Sequence, residues 1–434
     1  MFQPSSGIDA PTLNLEPYEH RAAVLSEVHA RPFRPIEAPA RLVHFAFLSS
    51  DGDVGADALS ALSVDRGGPA IAPSARHHRV NVDGTDLRWE RHNEFTSYCW
   101  YRRAPGCAEL EMAAAELASA MAWLPQPGPH LVSIDLRVVD AAAAPDIDAM
   151  FAKESLCMMK AEQGAATVAT DFKPDAGGFV RILVVCDNVP AMRIGALVQR
   201  LLELETYRLL ALLCIPEGQA VEPTVRSIER DLVQVTQEMT QTDALEGNEV
   251  LLDRLVRMAA RLEASAAHSL FRFGASRAYQ NIVLGRIAAI GFEPIADRET
   301  IPAFLSRRMA PALQTCFSIE ERQINLSRKL ARATQLLRAK VDVAIERQNR
   351  DILRGLDLRS QMQLRLQRTV EGLSIAAVSY YVVGLLAYLF KALLPDHGIA
   401  EIAVALTCPL VVAGVALTIY RRTRLSEGHG PATK

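Results

Sequence analysis

GLSIAAVSYYVVGLLAYLF, from Gly372 to Phe390, contains no charged residue, and neither does IAVALTCPLVVAGVALTIY, from Ile402 to Tyr420. Each run is 19 residues long, close to the ~20 a helix needs to cross a hydrocarbon core. Buried in a soluble protein, two such runs would demand a very large apolar surround on every face. They are read here as transmembrane helices, with Tyr380, Tyr381, Tyr388, Phe390 and Tyr420 inside or near their ends, as interfacial aromatics often lie. The connection Lys391–Glu401 is short and holds Pro395 and Gly398, so the spans form an antiparallel hairpin. Arg354, Arg359, Arg365 and Arg368 precede the first span, and Arg421, Arg422 and Arg424 follow the second. The loop has only Lys391, offset by Asp396 and Glu401. The positive-inside rule then puts both termini in the cytoplasm and Pro395–Gly398 outside. Pro409 is expected to kink the second span.

Upstream of the spans no proline occurs from Ala312 to Leu394, and apolar residues recur at helical spacing through Leu326, Leu330, Leu337, Val341, Ile345, Ile352, Leu356, Leu366 and Val370. A helix from Ile319 to Leu394 would be 76 residues long, about 110 Å at about 1.5 Å per residue. Such a helix must pack on something, either earlier helices or further copies of the chain. Between Ile319 and Glu371 there are twelve basic and seven acidic residues, a balance of +5. No aromatic residues interleave with them, so a solvated face with a juxtamembrane basic cluster fits better than nucleic-acid binding.

The N-terminal part reads as mixed α/β. Strands are expected at Arg41–Ser49, at Arg79–Val82 and Asp86–Asn93 about an Asp83-Gly84 turn, at Phe95–Tyr101 and at His130–Val139. A second hairpin is expected from Ala166–Phe172 and Gly178–Asp187. Helices are expected over Ala108–Trp123 and Ala191–Leu213, the latter ended by Pro216, and nearly throughout from Pro223. The expected domains are an α/β domain over 1–187, a helical region over 188–318, a coiled-coil-like stalk over 319–371, the hairpin over 372–420 and a basic tail over 421–434.

Of the 434 residues half are apolar, which excludes a disordered chain. Lys and Arg total 47 against 50 Asp and Glu, a net charge of −3, and this balance argues against a dedicated nucleic-acid binder. The seven cysteines are widely spaced with no C-x-x-C, so neither a disulfide framework nor a zinc site is indicated. No secretory signal is read in Met1–Pro17.

Three clusters could carry chemistry. In Trp89–Phe95 (WERHNEF), period-two alternation places Glu90, His92 and Glu94 on one strand face, where they could hold a divalent metal or move protons. A solvated sheet face is the commoner origin of such spacing. In Glu27–Pro32 (EVHARP), Arg31 could clamp an anion, with Glu27 and His29 beside it. A helix C-terminal cap fits the same residues. Asp396, His397 and Glu401 in the outer loop could ring a pore mouth in an assembly, or simply cap the second span. His77-His78 reads as a surface turn, and Glu205, Tyr207 and Arg208 as a helix salt-bridge group. No P-loop and no G-x-S-x-G motif is present.

Glu27–Pro32, Trp89–Phe95, Glu205–Leu213 (ETYRLLALL), Arg307–Cys316 (RRMAPALQTC) and Glu346–Tyr381 together resemble the bacterial membrane-anchored family called domain of unknown function 3422. The resemblance implies an integral inner-membrane protein with a large cytoplasmic part. It carries no catalytic residues, and it draws Glu27, His29, Arg31, Glu90, Arg91 and His92 together as one site. The order of an α/β part, a helical layer, a long helix and a two-span hairpin also looks like the CorA-type magnesium channels. The Gly-Met-Asn signature of those channels is absent, and Phe-Lys-Ala-Leu-Leu-Pro-Asp-His-Gly stands in its place. The expected function is a membrane-anchored scaffold or sensor that is not an enzyme, homo-oligomeric, in contact with the bilayer and not with nucleic acid. The alternative is a CorA-like cation channel.

Overall fold

The computed structural model describes residues 15–21, 24–25, 33–49, 54–72, 75–104, 112–122, 124–242, 244–393 and 397–427. Among the described residues nine strands form one mixed sheet: β1 (Ala40–Leu48), β2 (His77–Val82), β3 (Thr85–Arg91), β4 (Phe95–Arg103), β5 (His130–Asp140), β6 (Cys157–Ala161), β7 (Ala166–Pro174), β8 (Val180–Cys186) and β9 (Glu293–Pro294). The helices are α1 (Val54–Asp65), α2 (Ala114–Leu117), α3 (Ile147–Met150), α4 (Ala191–Leu212), α5 (Cys214–Gln241), α6 (Leu245–Ile290), α7 (Ile301–Leu393) and α8 (His397–Glu427). An N-terminal mixed sheet is thus followed by a helical body and long C-terminal helices.

The strand order is β2-β3-β4-β1-β5-β8-β7-β6-β9. Every pairing is antiparallel except that of β5 with β8. The β2–β3 hairpin turns at Asp83 and Gly84, whose φ angles of 49° and 79° are those a two-residue primed turn needs. That turn fixes the register, and with it which side chains share a face.

One face of β1 to β4 carries Val43, Phe47, Val80, Val82, Leu87, Trp89, Tyr98 and Trp100, all buried against Leu59 of α1 and Ala114 and Leu117 of α2. Burying each of these large side chains contributes roughly 1.5–3 kcal/mol. On this same face Arg41 forms a buried, two-pronged ion pair with Asp135 of the neighbouring β5, at 2.8 Å on both arms. The opposite face of the same strands lies under α4, through Val198, Leu202 and Gln199.

Several expectations are corrected in detail. The helix expected over Ala108–Trp123 is, among the described residues, only α2 and the 3-10 turn Ser119–Ala122. Pro216 follows the end of α4, which stops at Leu212 as expected. It sits in the first turn of α5, where its missing N–H is not needed. Pro223 and Pro311 lie inside α5 and α7, and α7 begins at Ile301, earlier than the expected Ile319, and runs for 93 residues. His77 and His78 open β2 instead of forming a turn, and His78 Nε2 lies 3.0 Å from Ser63 Oγ. Strand β6 was not expected: its Cys-Met-Met-Lys-Ala composition has little β preference, and it forms because β7 and β9 flank it.

The chain divides into two compact units, one of residues up to Val235 with Leu255–Arg332, the other of Thr236–Arg254 with the chain from Ala333 onward. Within the second unit Lys340 Nζ donates to the carbonyls of Met239, at 3.0 Å, and Thr242, which satisfies the C-terminal end of α5. Here α7 carries an apolar window that is almost wholly exposed, and Glu401–Ile419 of α8 is a 19-residue window with no buried residue. By length and composition both could cross a membrane.

Candidate ligand-binding cleft

The cleft follows from register. Residue pairs across the hairpin and its neighbours set Arg79 directly opposite Arg88, Arg88 opposite Cys99 and Cys99 opposite His44. The adjacent rows on the same face run Asn81, Asp86, Tyr101, Leu42 and His77, Glu90, Ser97, Ala46. Two like charges opposed on neighbouring strands are destabilising unless something offsets them. This face of the sheet is accordingly polar beneath a helix, and two adjoining cavities lie between them.

The first cavity has a volume of about 340 Å³, and Arg34, Arg79, Arg88, Asp86 and Tyr101 are among its walls, with Gly195, Val198 and Gln199 of α4. Arg34 Nη1 donates to Asp86 Oδ2 at 2.7 Å, and its guanidinium lies 3.8 Å from the centre of the Tyr101 ring. Arg88 Nη1 reaches Gln199 Oε1 at 3.5 Å. Burial, then the neighbouring charges of Arg88 and Arg34, lower the Arg79 pKa, with Glu90 and Asp86 opposing. Burial raises the Tyr101 hydroxyl and pushes the Cys99 thiol up to about 11. Three arginines and one aspartate leave this cavity with an excess of positive charge.

The second cavity, about 230 Å³, shares Arg88, Gln199 and Leu202 with the first and adds His44, Glu90, His92, Glu203, Thr206, Tyr207 and Arg286. Thr206 Oγ1 donates to the Leu202 carbonyl at 2.8 Å, so at 3.2 Å from His44 Nε2 it accepts the imidazole N–H. Nδ1 of His44 is therefore the bare acceptor nitrogen, and it is buried without a partner. Burial, then the charge of Arg88, lowers the His44 pKa to about 3, so the ring is neutral. Glu90 is buried, its Oε1 makes no hydrogen bond, and Arg88 Nε stands 3.5 Å from it. Arg286 Nε pairs with Glu203 at 2.5 Å, and Gln199 Nε2 donates to Glu203 at 2.9 Å.

The sequence-predicted residues divide. Glu90 and His92 enter the second cavity, with His92 Nε2 3.9 Å from Glu90 Oε2 and its ring stacked on Phe95 at 4.0 Å. Glu94 does not join them. The strand ends at Arg91, and Glu94 accepts from Tyr279 Oη at 2.8 Å and Arg272 Nη1 at 3.1 Å on α6. Burial, then the Glu94 carboxylate, raises the Tyr279 pKa. The divalent-metal arrangement of Glu90, His92 and Glu94 is thus not assembled, and no group of three His, Cys, Asp or Glu suited to a metal occurs among the described residues. Arg91 alternates to the other face of β3 from Glu90. Glu27, His29, Arg31 and Asp396 lie outside the described residues, although Phe33 and Arg34, just after the EVHARP stretch, line the first cavity. Glu401 is exposed on α8. Glu205 and Arg208 pair with each other inside α4, two-pronged at 2.6 Å on each arm, so the salt bridge is within one helix and not between two.

Sequence reading missed Arg34, Arg79, Arg88, His44 and Gln199. The Asp83-Gly84 turn held the signal for two of them, since a two-residue loop sets Arg79 against Arg88. Nothing local announces His44 or Gln199, which meet the cleft only through tertiary packing.

The Trp89–Phe95 and Glu205–Leu213 stretches thus meet at one cleft, and the whole chain can be compared with known families. A family model described as protein of unknown function (DUF3422) matches residues 16–425. The chain belongs to that family. Among curated proteins none matches it. As a DUF3422 protein it inherits no assigned reaction, so the chemistry of the cleft is the basis for function.

Proposed function

We propose that this DUF3422 protein is a membrane-anchored sensor or scaffold whose sheet unit binds a small anion, a carboxylate or a phosphoryl group, in the cleft under α4. The bilayer is the bacterial inner membrane, both termini are cytoplasmic, and the chain is a homo-oligomer. Support for anion binding rests on one observation above all: Arg79 opposes Arg88 across the hairpin, and Arg34 joins them around the same cavity. An anion offsets that repulsion and matches the bidentate geometry of guanidinium groups. Support for anchoring comes from the two exposed apolar windows. Support for self-association comes from exposed Ile345, Ile352, Leu353, Leu356 and Leu366 on α7.

The test is ligand-dependent thermal stabilisation of the full detergent-solubilised chain at constant ionic strength. Phosphate, ethylphosphonate or valerate at about 100 times its Kd adds about 2.7 kcal/mol, a rise of a few degrees in midpoint for a chain of this size. Arg88→Ala abolishes the rise while the protein still unfolds cooperatively. A wild type unmoved by every anion contradicts the proposal.

A further inference from the structure

We infer that the second cavity receives the protonated amine of a small zwitterion whose anionic end lies against Arg88. The inference rests on the anion reading and names the class of ligand. Two buried acceptors line this cavity without hydrogen-bond partners, Nδ1 of His44 and Oε1 of Glu90. Buried acceptors left unmade are rare and costly, and each implies a donor. Of the groups already there, Thr206 holds the other nitrogen of His44, Arg286 Nε is ion-paired with Glu203 at 2.5 Å although it makes no hydrogen bond of its own, and Arg88 Nε stands 3.5 Å from Glu90 Oε1 without bonding geometry. An ammonium group has three donors and no acceptor, so it suits a cavity lined by these two acceptors and adds a positive charge beside Glu90. A carboxylate or phosphoryl group does the reverse at the arginines. Glu90 lies two residues beyond Arg88 on the same strand face, about 7 Å away at the usual rise. The two cavities share Arg88, Gln199 and Leu202, so one short molecule can reach both.

The experiment compares matched pairs on the full solubilised chain: δ-aminovalerate against valerate, and aminoethylphosphonate against ethylphosphonate, each titrated by thermal shift in wild type and in Glu90→Gln. In at least one pair the amino compound binds wild type tenfold or more tightly than its amine-free partner, a difference of about 1.4 kcal/mol. Glu90→Gln removes that advantage, so that in the variant the amino compound and its amine-free partner bind equally. Equal affinities within both pairs overturn the amine site and leave the anion reading standing, with water as the donor in the second cavity. An advantage that survives Glu90→Gln also overturns it. If none of the four compounds binds, both readings fall together. The wild-type comparison does not depend on the variant folding.

Discussion

His44 shows how one side chain is set by its surroundings. It sits beneath α4, gives its Nε2 proton to Thr206, and keeps Nδ1 bare beside Arg88. Its pKa falls from 6.5 to about 3 because burial and a nearby guanidinium both disfavour the cation. Below pH 6.5 the unfolded chain takes up a proton that the folded ring refuses until about pH 3, so stability is lost as pH falls through that window. Between pH 8 and pH 5 this residue alone costs the fold about 2 kcal/mol. His44→Gln is therefore expected to show a shallower loss of thermal midpoint on acidification than wild type; parallel curves would show that His44 is not buried neutral. Of the residues in the cleft, the sequence singled out Glu90 and His92 because they sit in a dense polar stretch. His44 lies in Arg-Leu-Val-His-Phe-Ala-Phe-Leu, where it reads as one polar position in an apolar strand, and its role exists only once α4 covers it.

Helix α4 is held to the sheet unit by a backbone contact. The Ile36 N–H donates to the Ala191 carbonyl at 2.9 Å, and a Cβ placed on Gly195 would come within 1.8 Å of the Arg34 carbonyl oxygen. Backbone cannot yield as a flexible side chain does, so Gly195→Ala must push α4 and the 33–36 segment apart. It is expected to cost about 1–3 kcal/mol and to weaken anion binding by displacing Arg34. Gly274→Ala, on an exposed part of α6 with open space around its Cβ, is the control of opposite sign, gaining about 0.5–1 kcal/mol. Thermal midpoints and phosphate titrations of the two variants check this; equal behaviour would deny the close seating of α4. At this scale much was legible. The strands β1 to β5, both hairpins and α4 follow from alternation, an Asp-Gly turn and helical spacing. Pro216 marked the end of α4 and stands where the first turn of α5 tolerates it, whereas Pro223 and Pro311 lie inside long helices whose packed partners outweigh one lost hydrogen bond.

The molecule as a whole has a polar cleft in one unit and apolar helices in the other. The apolar runs were plain in the sequence because length and absence of charge need no tertiary context. The cleft was not, since it depends on the register of four strands and on a helix more than a hundred residues along the chain from β2. If α7 and α8 cross the inner membrane with both termini inside, Gly398→Cys in a background without other cysteines reacts with a membrane-impermeant maleimide added to spheroplasts, while a cysteine at Glu427 does not. The reverse pattern contradicts the orientation. Native mass spectrometry of the extracted chain is expected to show an oligomer, and a monomer removes the proposed self-association. The central claim, that the cleft under α4 holds a small anion, is tested most directly by hydrogen–deuterium exchange of the full chain in nanodiscs, with and without saturating phosphate, ethylphosphonate or valerate. The account predicts slowed exchange confined to residues 79–91 and 194–207, abolished in Arg88→Ala. Unchanged exchange in those segments, with every one of the anions, would contradict it.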